Sequence, residues 1–192
     1  MEKSKGKMEI FDKIEKVLYV TQPSPIVLIS TIDRNGINNL APFGMFMNCS
    51  SKEPQMIAVA ISPKSDTYTN IKDTKHFVVG IPKEEILEQL YKAGDKFEKG
   101  VDEFEITNLT PYDSKNIGSK KIKECRVNIE CVFENEMETG NHNIVVGKVV
   151  GCDIDEEVYS ENKVELRMNM PAIYHITSNK FLVNNQLKEI EK

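Results

Sequence analysis

A lysine and several hydroxyl side chains are concentrated where an apolar segment gives way to a predicted helix. The stretch AISPKSDTYTNI brings Lys64, Ser65 and Thr67 directly after a strand-like run. Backbone N–H groups at a helix start, together with hydroxyls and a lysine, can hold a phosphate group. The same side chains can instead cap the helix and leave the lysine in solvent. Asp66 opposes an anion unless its carboxylate caps the helix or faces away.

The segment NNLAPFGMFMNCSS, over residues 38–51, is a second candidate binding region. It is apolar, but asparagine, proline and glycine interrupt it, and it ends in Cys-Ser-Ser. An irregular strand of this kind exposes backbone donors along which the polar edge of a flat aromatic cofactor can lie, with Met45 or Phe46 beneath its ring. An ordinary edge strand is the alternative, because proline and glycine are tolerated at sheet edges.

Two further positions carry groups that suit a charged or redox ligand. His142 opens a strand-like segment beside a turn, and histidine is the side chain that titrates near neutral pH. A purely structural histidine is the alternative. Lys96 and Lys99 follow the clearest helical segment, and either can reach an anion or remain solvated.

Other chemistries lack their sequence signatures. GxGxxG, GxxxxGK[ST] and GxSxG are absent, which argues against a dinucleotide fold, a P-loop and a serine hydrolase. None of the four cysteines forms a CxxC pair and the three histidines are scattered, so we expect reduced thiols and no metal site. The chain combines candidate phosphate donors with an apolar strand on which an aromatic ring can lie, and it has no recognisable acid–base triad. This combination indicates a bound cofactor that supplies the chemistry itself.

The composition predicts a single domain over residues 1–192 of a cytoplasmic protein. The chain is 40% hydrophobic, which is enough for a sizeable core. Its net charge is −5, whereas nucleic-acid-binding proteins usually carry an excess of basic residues. No apolar run reaches the roughly 20 residues that span a bilayer, and the charged N-terminus is not typical of a signal peptide. Neither nucleic acid nor membrane is therefore expected as a partner.

Short apolar segments separated by turn signals dominate the chain. Asp33-Arg34-Asn35-Gly36 is typical of a hairpin turn, residues 84–94 form the clearest helix, and the polar residues 97–123 are expected to be surface loops. Six or so strands with two or three helices predict a mainly β fold, a closed or nearly closed barrel. Strands are predicted over residues 25–33, 37–50, 55–61, 76–82, 125–133 and 143–155, a short strand or a hairpin over 171–185, and further helices over 8–20 and 66–74.

Three blocks in a fixed order carry a resemblance to a known family. PIVLISTIDRNGINNLAPFGMF, SPKSDTYTNIKDTKHFVVGIP and GNHNIVVGKVVG together resemble the flavin reductase-like family of FMN-binding split barrels, over roughly residues 20–180. The resemblance implies a six-stranded antiparallel barrel with flanking helices, to which an N-terminal helix and a C-terminal tail are appended. It also implies a homodimer with non-covalent FMN at or near the dimer interface.

The resemblance implies an activity and its alternative. The activity is hydride transfer from NADH or NADPH to flavin, followed by onward transfer of electrons. The alternative is a flavoredoxin-like FMN electron carrier that is reduced by a redox protein partner rather than by free NAD(P)H. Physically, stacking and close approach supply much of the barrier reduction in hydride transfer, so a shortage of acid–base residues is no objection.

The resemblance also assigns roles to individual residues. His142 matches a histidine that borders flavin and nicotinamide, and is the expected catalytic residue. Lys64, Ser65 and Thr67 are expected to hold the FMN phosphate. Met45 takes the place of a ring-stacking side chain that is aromatic in many relatives. The other expected cofactor-binding residues are Asn39, Leu40, Ala41, Pro42, Cys49, Ser50, Lys96 and Tyr174.

Overall fold

The computed structural model describes residues 24–162, 165–166, 172–177 and 179–184. The predicted helix over residues 8–20 and the tail beyond residue 184 lie outside this range. Twelve strands occur within it, and the largest sheet has the order β3-β2-β6-β9-β10-β5-β4 with every neighbour antiparallel. The strands are β1 Ser24–Pro25, β2 Val27–Ile32, β3 Asn38–Phe43, β4 Phe46–Asn48, β5 Met56–Ile61, β6 His76–Pro82, β7 Pro111–Tyr112, β8 Lys121–Ile122, β9 Cys125–Thr139, β10 His142–Ile154, β11 Ala172–Thr177 and β12 Lys180–Asn184.

The large sheet closes on itself through a bend between two consecutive strands. β3 and β4 form opposite edges of the sheet, yet only Gly44 and Met45 separate them in the chain. The Met45 carbonyl accepts a hydrogen bond from the Ala60 N–H at 2.9 Å, which ties the bend to β5. Counting β3 and β4 as one bent strand gives six strands around the barrel. The predicted mainly β antiparallel barrel is confirmed.

Apolar side chains form two cores, one inside the barrel and one on its outer surface. Successive residues of β2 point to opposite faces, so Val27 and Ile29 lie inside the barrel while Leu28 lies outside it, and all three are buried. Burial on both faces explains why the first half of β2, Val27 to Ile29, is an uninterrupted apolar run, which the buried hydroxyl residues Ser30 and Thr31 then end. The inner core also contains Ile57, Val59, Phe77, Val79, Cys131 and Val145, and the outer core contains Leu40, Leu90, Phe104, Leu109, Ile122 and Ile173.

The predicted hairpin turn sets the register of β2 and β3. Asp33 Oδ1 accepts hydrogen bonds from the backbone N–H groups of Asn35 and Ile37, each at 2.8 Å. This turn brings Thr31 opposite Asn39 on the neighbouring strand. The candidate binding residue Asn39 is therefore held beside the buried hydroxyl group of Thr31.

Short α-helices flank the barrel in the described part of the chain. The predicted helix over residues 66–74 is α1, Asp66–Thr74, whereas the predicted helix over residues 84–94 is a 3-10 turn, Glu84–Ile86, followed by α2, Leu87–Lys92. None of the helices described here is long and apolar enough to cross a membrane. The prediction of loops throughout residues 97–123 is wrong, because α3, Glu103–Thr107, and the strands β7 and β8 lie there.

A buried ion pair attaches residues 108–123 to the barrel. Lys121 Nζ lies 2.7 Å from Glu130 Oε1, and the two side chains are only 4% and 1% exposed. The same ammonium contacts the Asp153 carboxylate and lies over the Tyr112 ring, 5.6 Å from its centroid. Because β9 carries Glu130 and β10 carries Asp153, one lysine holds this segment against two barrel strands.

Candidate functional site

The candidate phosphate site is the start of α1 and the loop before it. Ser65 caps the helix: its Oγ accepts a hydrogen bond from the Tyr68 N–H at 3.2 Å and donates to a carbonyl three residues earlier at 2.8 Å. First-turn N–H groups have no acceptor inside a helix, and the described residues offer none to those of Asp66 and Thr67. Lys64 is exposed beside them. Capping and anion binding are therefore compatible at this helix start.

Asp66 lies on the flank of α1 and does not cap it. Its carboxylate is 4.0 Å from Lys99 Nζ. It also lines a cavity of about 260 Å³ together with Asn70, Asp73 and Glu103. The cap is Ser65, so the aspartate at the first helical position is directed toward Lys99 and this cavity.

A buried polar network anchors α1 to β3. Asn39 Oδ1 accepts hydrogen bonds from Thr67 Oγ1 at 2.9 Å and from Thr31 Oγ1 at 3.1 Å. Asn39 Nδ2 donates to Glu103 Oε2 at 2.6 Å, and that carboxylate also accepts from the backbone N–H of Leu40. Asn39 and Thr67 thus hold the helix in place from inside the protein. Their direct contact with a cofactor stays a prediction.

The carboxyl group of Glu103 is set to titrate near neutral pH. Burial raises its pKa to about 7, opposed by the hydrogen bond from Leu40, and the neighbouring Asp66 and Asp102 carboxylates raise it further. The folded pKa is above the ordinary value of 4.5, so the folded protein binds this proton more tightly than the unfolded chain does. Stability from this group is present below about pH 4.5 and falls as the pH rises toward about 7.

Glu103→Gln is expected to remove this pH dependence. Between about pH 5 and about pH 8, wild type should lose about 1–2 kcal/mol of unfolding free energy relative to the variant, allowing for solvent screening of a half-buried carboxyl. Urea unfolding at both pH values measures the difference. Glu105→Gln is the control on the same helix, because Glu105 is exposed. A wild-type curve parallel to that of Glu103→Gln contradicts the assignment.

Met45 lies in an apolar hollow at the bend between β3 and β4. Its side chain is 52% exposed. The hollow has a volume of about 270 Å³ and is also lined by Pro25, Phe46, Ala60 and Ile144. This is the largely apolar, concave setting in which flat ligands are commonly held.

His142 opens β10 next to the end of β5. The residue after it, Asn143, pairs with Ile61 at the last position of β5. The His142 ring contacts Asn141 through Nδ1 and Oδ1, 2.8 Å apart, and the His142 carbonyl accepts from Thr139 Oγ1 at 2.9 Å. The hairpin itself therefore determines where the imidazole lies.

The C-terminal end of β5 is the meeting point of the site. Ala60 bonds to Met45, Ile61 pairs with the neighbour of His142, and Ser62 opens the loop that carries Lys64. Four predicted site residues from three separate sequence blocks are therefore brought together here: Met45, Lys64, Ser65 and His142.

Four other predicted residues lie around this cluster. Ala41 and Pro42 are half-buried on β3, and a Cβ on Gly94 would lie 3.2 Å from Pro42 Cγ. The exposed Lys96 follows two residues after that glycine. Tyr174 on β11 pairs with Pro25, which lines the hollow at Met45. Their contacts with a cofactor stay predictions.

Three predicted residues have a different setting. Leu40 is fully buried in the outer core. The Cys49 N–H donates to the Met56 carbonyl, and Ser50 Oγ accepts from the Met56 N–H at 2.8 Å and donates to the Pro54 carbonyl at 2.9 Å. Met56 begins β5, so Cys49 and Ser50 lie about 16 Å along that strand from the meeting point. Within one chain they are not part of the cluster.

Sequence reasoning missed Tyr68, Glu103 and Glu136, whose side chains support the site. Glu103 belongs to a helix whose start has a detectable signal: Asp102 is followed three residues later by Glu105, the spacing of a capping box. Asp102 does cap α3, accepting from the Phe104 N–H at 2.9 Å. Tyr68 and Glu136 carry no comparable signal, because their contact joins residues far apart in sequence.

The chain matches the family model described as a flavin reductase like domain over residues 20–179. An uncharacterized protein of Aquifex aeolicus is 34% identical over 151 residues, which is 76% of each chain. The chain belongs to the flavin reductase-like family.

Solved structures share the fold at lower sequence identity. Nitrilotriacetate monooxygenase component B from Bacillus cereus superimposes with a TM-score of 0.86 at 21% identity, covering 99% of this chain and 98% of that protein. Flavoredoxin of Desulfovibrio vulgaris gives a TM-score of 0.78 at 20% identity, covering 99% and 97%. The family-level prediction made from the three sequence blocks is confirmed.

Proposed function

We propose that this protein binds FMN non-covalently at the cluster around the end of β5 and transfers hydride to it from NADH or NADPH. The supporting observation is the convergence of an open helix start, Lys64, an apolar hollow at Met45 and His142 at one place. FMN supplies the redox chemistry when bound. The chain supplies the phosphate donors, the apolar surface for the ring and a positioned imidazole.

The residues present fit the charges and shape of FMN. The backbone N–H groups of Asp66 and Thr67 have no acceptor among the described residues, and the exposed Lys64 precedes them in the chain. A phosphate group can accept hydrogen bonds from such a set of donors. The hollow at Met45 is mostly apolar, as the faces of an isoalloxazine ring require. His142 lies where a polar group can border that ring and an incoming nicotinamide.

The visible spectrum of the purified protein tests this proposal. Bound flavin gives a yellow protein, and titration with added FMN gives its affinity. A colourless protein that does not bind added FMN contradicts the proposal. Anaerobic addition of NADH and of NADPH then shows whether either one bleaches the bound flavin.

Lys64→Ala is expected to weaken FMN binding about tenfold, or roughly 1.4 kcal/mol, by removing one charge-assisted phosphate contact. Riboflavin, which has no phosphate, should bind the variant and wild type equally. Fluorescence titration with both flavins measures the effect. Lys123→Ala, at another exposed lysine, is the matched control. If riboflavin lost as much affinity as FMN, Lys64 would not act through the phosphate group, and the prediction would be wrong.

A second copy of the chain is the proposed partner, as a homodimer. An apolar face runs across the outside of the barrel near the site, where Met45, Met47 and Met137 are 52%, 55% and 58% exposed. Ile144 lies between Met137 and Ala60 in the sheet register. Contiguous exposed apolar surface of this kind is typical of an interaction site, and this one adjoins the proposed flavin ring.

An FMN electron carrier reduced by a protein partner is the second candidate function. The similarity in fold to flavoredoxin favours it, and the net charge of −5 suits electrostatic steering toward a basic partner. Steady-state oxidation of NAD(P)H with excess free FMN separates the two functions. Rapid turnover supports the reductase, whereas a protein that binds FMN but is not reduced by either nicotinamide supports the carrier.

A further inference from the structure

One tyrosine joins the first turn of α1 to the hairpin formed by β9 and β10. Tyr68 Oη donates to Glu136 Oε2 at 2.8 Å and accepts from Asn143 Nδ2 at 3.1 Å. Its backbone N–H donates to Ser65 Oγ at 3.2 Å. Tyr68 therefore contacts both the cap of the candidate phosphate site and the residue next to His142.

The partners of this hydroxyl are themselves held in place. Lys72 forms an ion pair with Glu136, and its ammonium lies 5.0 Å from the centroid of the Phe133 ring. The Phe133 N–H donates to the Lys75 carbonyl at 2.9 Å, so the end of α1 is also fixed to β9. The hydrogen bond to Glu136 raises the pKa of Tyr68. The phenol therefore stays protonated at neutral pH and keeps its role as donor.

Asn143 continues the link toward His142, because it is only 7% exposed and is adjacent to His142 in the chain. A displacement of Asn143 moves the backbone of His142. A hydroxyl is both donor and acceptor, which lets Tyr68 bond to Glu136 and Asn143 at once. Phenylalanine fills the same space and makes neither bond.

We propose that Tyr68 is a positioning residue that transmits occupation of the phosphate end of the site to the hairpin presenting His142. This inference rests on the proposed function of the same site. A phosphate on the N–H groups of Asp66 and Thr67 fixes the first turn of α1. Tyr68 then fixes Glu136 and Asn143, and the imidazole is held in the orientation needed at the ring.

Hydrogen–deuterium exchange tests the link without catalysis. The probe is ribitol 5-phosphate, the part of FMN that has the phosphate and lacks the ring. At saturation it should slow exchange in residues 62–68 and also, by about fivefold, in residues 136–143 of wild type. In Tyr68→Phe the first segment should remain protected and the second should be unaffected. Tyr91→Phe, at a 47% exposed tyrosine on α2, should behave as wild type.

A double-mutant cycle tests the same link by kinetics. Tyr68→Phe is expected to slow reduction of bound flavin about tenfold while changing the FMN dissociation constant less than about threefold. In the His142→Ala background, the same change should cost less than about twofold, because its effect passes through the imidazole. If Tyr68→Phe does not fold, Asn143→Ala takes its place in the experiment. It removes the link on the hairpin side and should cause the same loss of coupling.

The outcomes separate this inference from the proposed function. If FMN does not bind, both fail. If FMN binds and ribitol 5-phosphate protects residues 62–68 without protecting residues 136–143 of wild type, only the role of Tyr68 is overturned. Equal protection of the hairpin in wild type and Tyr68→Phe, or additive rate losses with His142→Ala, overturns it as well. If ribitol 5-phosphate protects neither segment, both the phosphate assignment and the coupling are overturned.

Discussion

Alanine in place of Lys121 is expected to lower the free energy of unfolding by about 3–5 kcal/mol, the range typical when one partner of a buried ion pair is removed. The pair that it forms with Glu130 is almost fully shielded from water, with side chains 4% and 1% exposed. Deleting the ammonium leaves a carboxylate that can neither reach solvent nor recover its charge partner. The loss of a buried methylene stem adds a smaller packing cost.

The groups around Glu130 keep its carboxyl group ionised. Burial alone would raise its pKa, but the Lys121 ammonium and the backbone N–H groups of Lys115 and Asn116 outweigh burial and hold the pKa at about 2. Those N–H groups donate at 3.0 and 2.8 Å. Because the folded pKa lies below the ordinary 4.5, stability from Glu130 is present above about pH 4.5 and is lost as the pH falls toward about 2.

A neighbouring lysine provides the control for this prediction. Lys120 pairs with Asp113 at 2.5 Å, but the Asp113 side chain is 86% exposed. Lys120→Ala should therefore cost less than about 1 kcal/mol, as is usual for exposed ion pairs. Urea unfolding of both variants at neutral pH gives the comparison. Similar losses for the two lysines would show that burial of the Lys121–Glu130 pair does not determine its contribution.

The longer strands of the barrel could be predicted from sequence because burial determines much of their residue pattern. The first half of β2 is covered on both faces, which selects the apolar run from Val27 to Ile29, and the Asn-Gly turn after the strand fixes the return of β3. The start of α1 was also predictable, since Ser65 is a local cap. In each case the signal and the structure lie within a few neighbouring residues.

The supporting contacts of the site could not be predicted in this way. Asn39 and Glu103 are 64 positions apart, and Tyr68 and Glu136 are 68 apart, yet each pair shares a hydrogen bond. No local pattern distinguishes such a carboxylate from the other acidic residues of the chain. Thr67 illustrates the same limit: its place in sequence suggests a phosphate contact, whereas the closed barrel directs its hydroxyl to Asn39.

His142→Ala is expected to slow reduction of bound flavin by NAD(P)H about 50-fold, or roughly 2.3 kcal/mol, and to change the FMN dissociation constant less than about threefold. The difference follows from geometry. The proposed phosphate donors and the apolar hollow belong to other elements, so removing the imidazole should leave the proposed binding contacts intact. In the proposed site, what is lost is one preorganised polar group beside the flavin ring. The expected cost lies just below the roughly 2.7–4 kcal/mol that a single preorganised oxyanion-hole donor contributes to the transition state.

Anaerobic stopped-flow reduction of the flavin-loaded protein measures the rate, and FMN titration of the flavin-free protein measures the affinity. His76→Gln is the matched control, because the His76 ring contacts Ser119 Oγ at 2.9 Å and takes no part in the cluster at the end of β5. Its rate should stay within about twofold of wild type. Equal losses of rate and affinity in His142→Ala would instead make the imidazole a binding contact. An unchanged rate would leave it a structural residue of the hairpin, whose Nδ1 contacts Asn141.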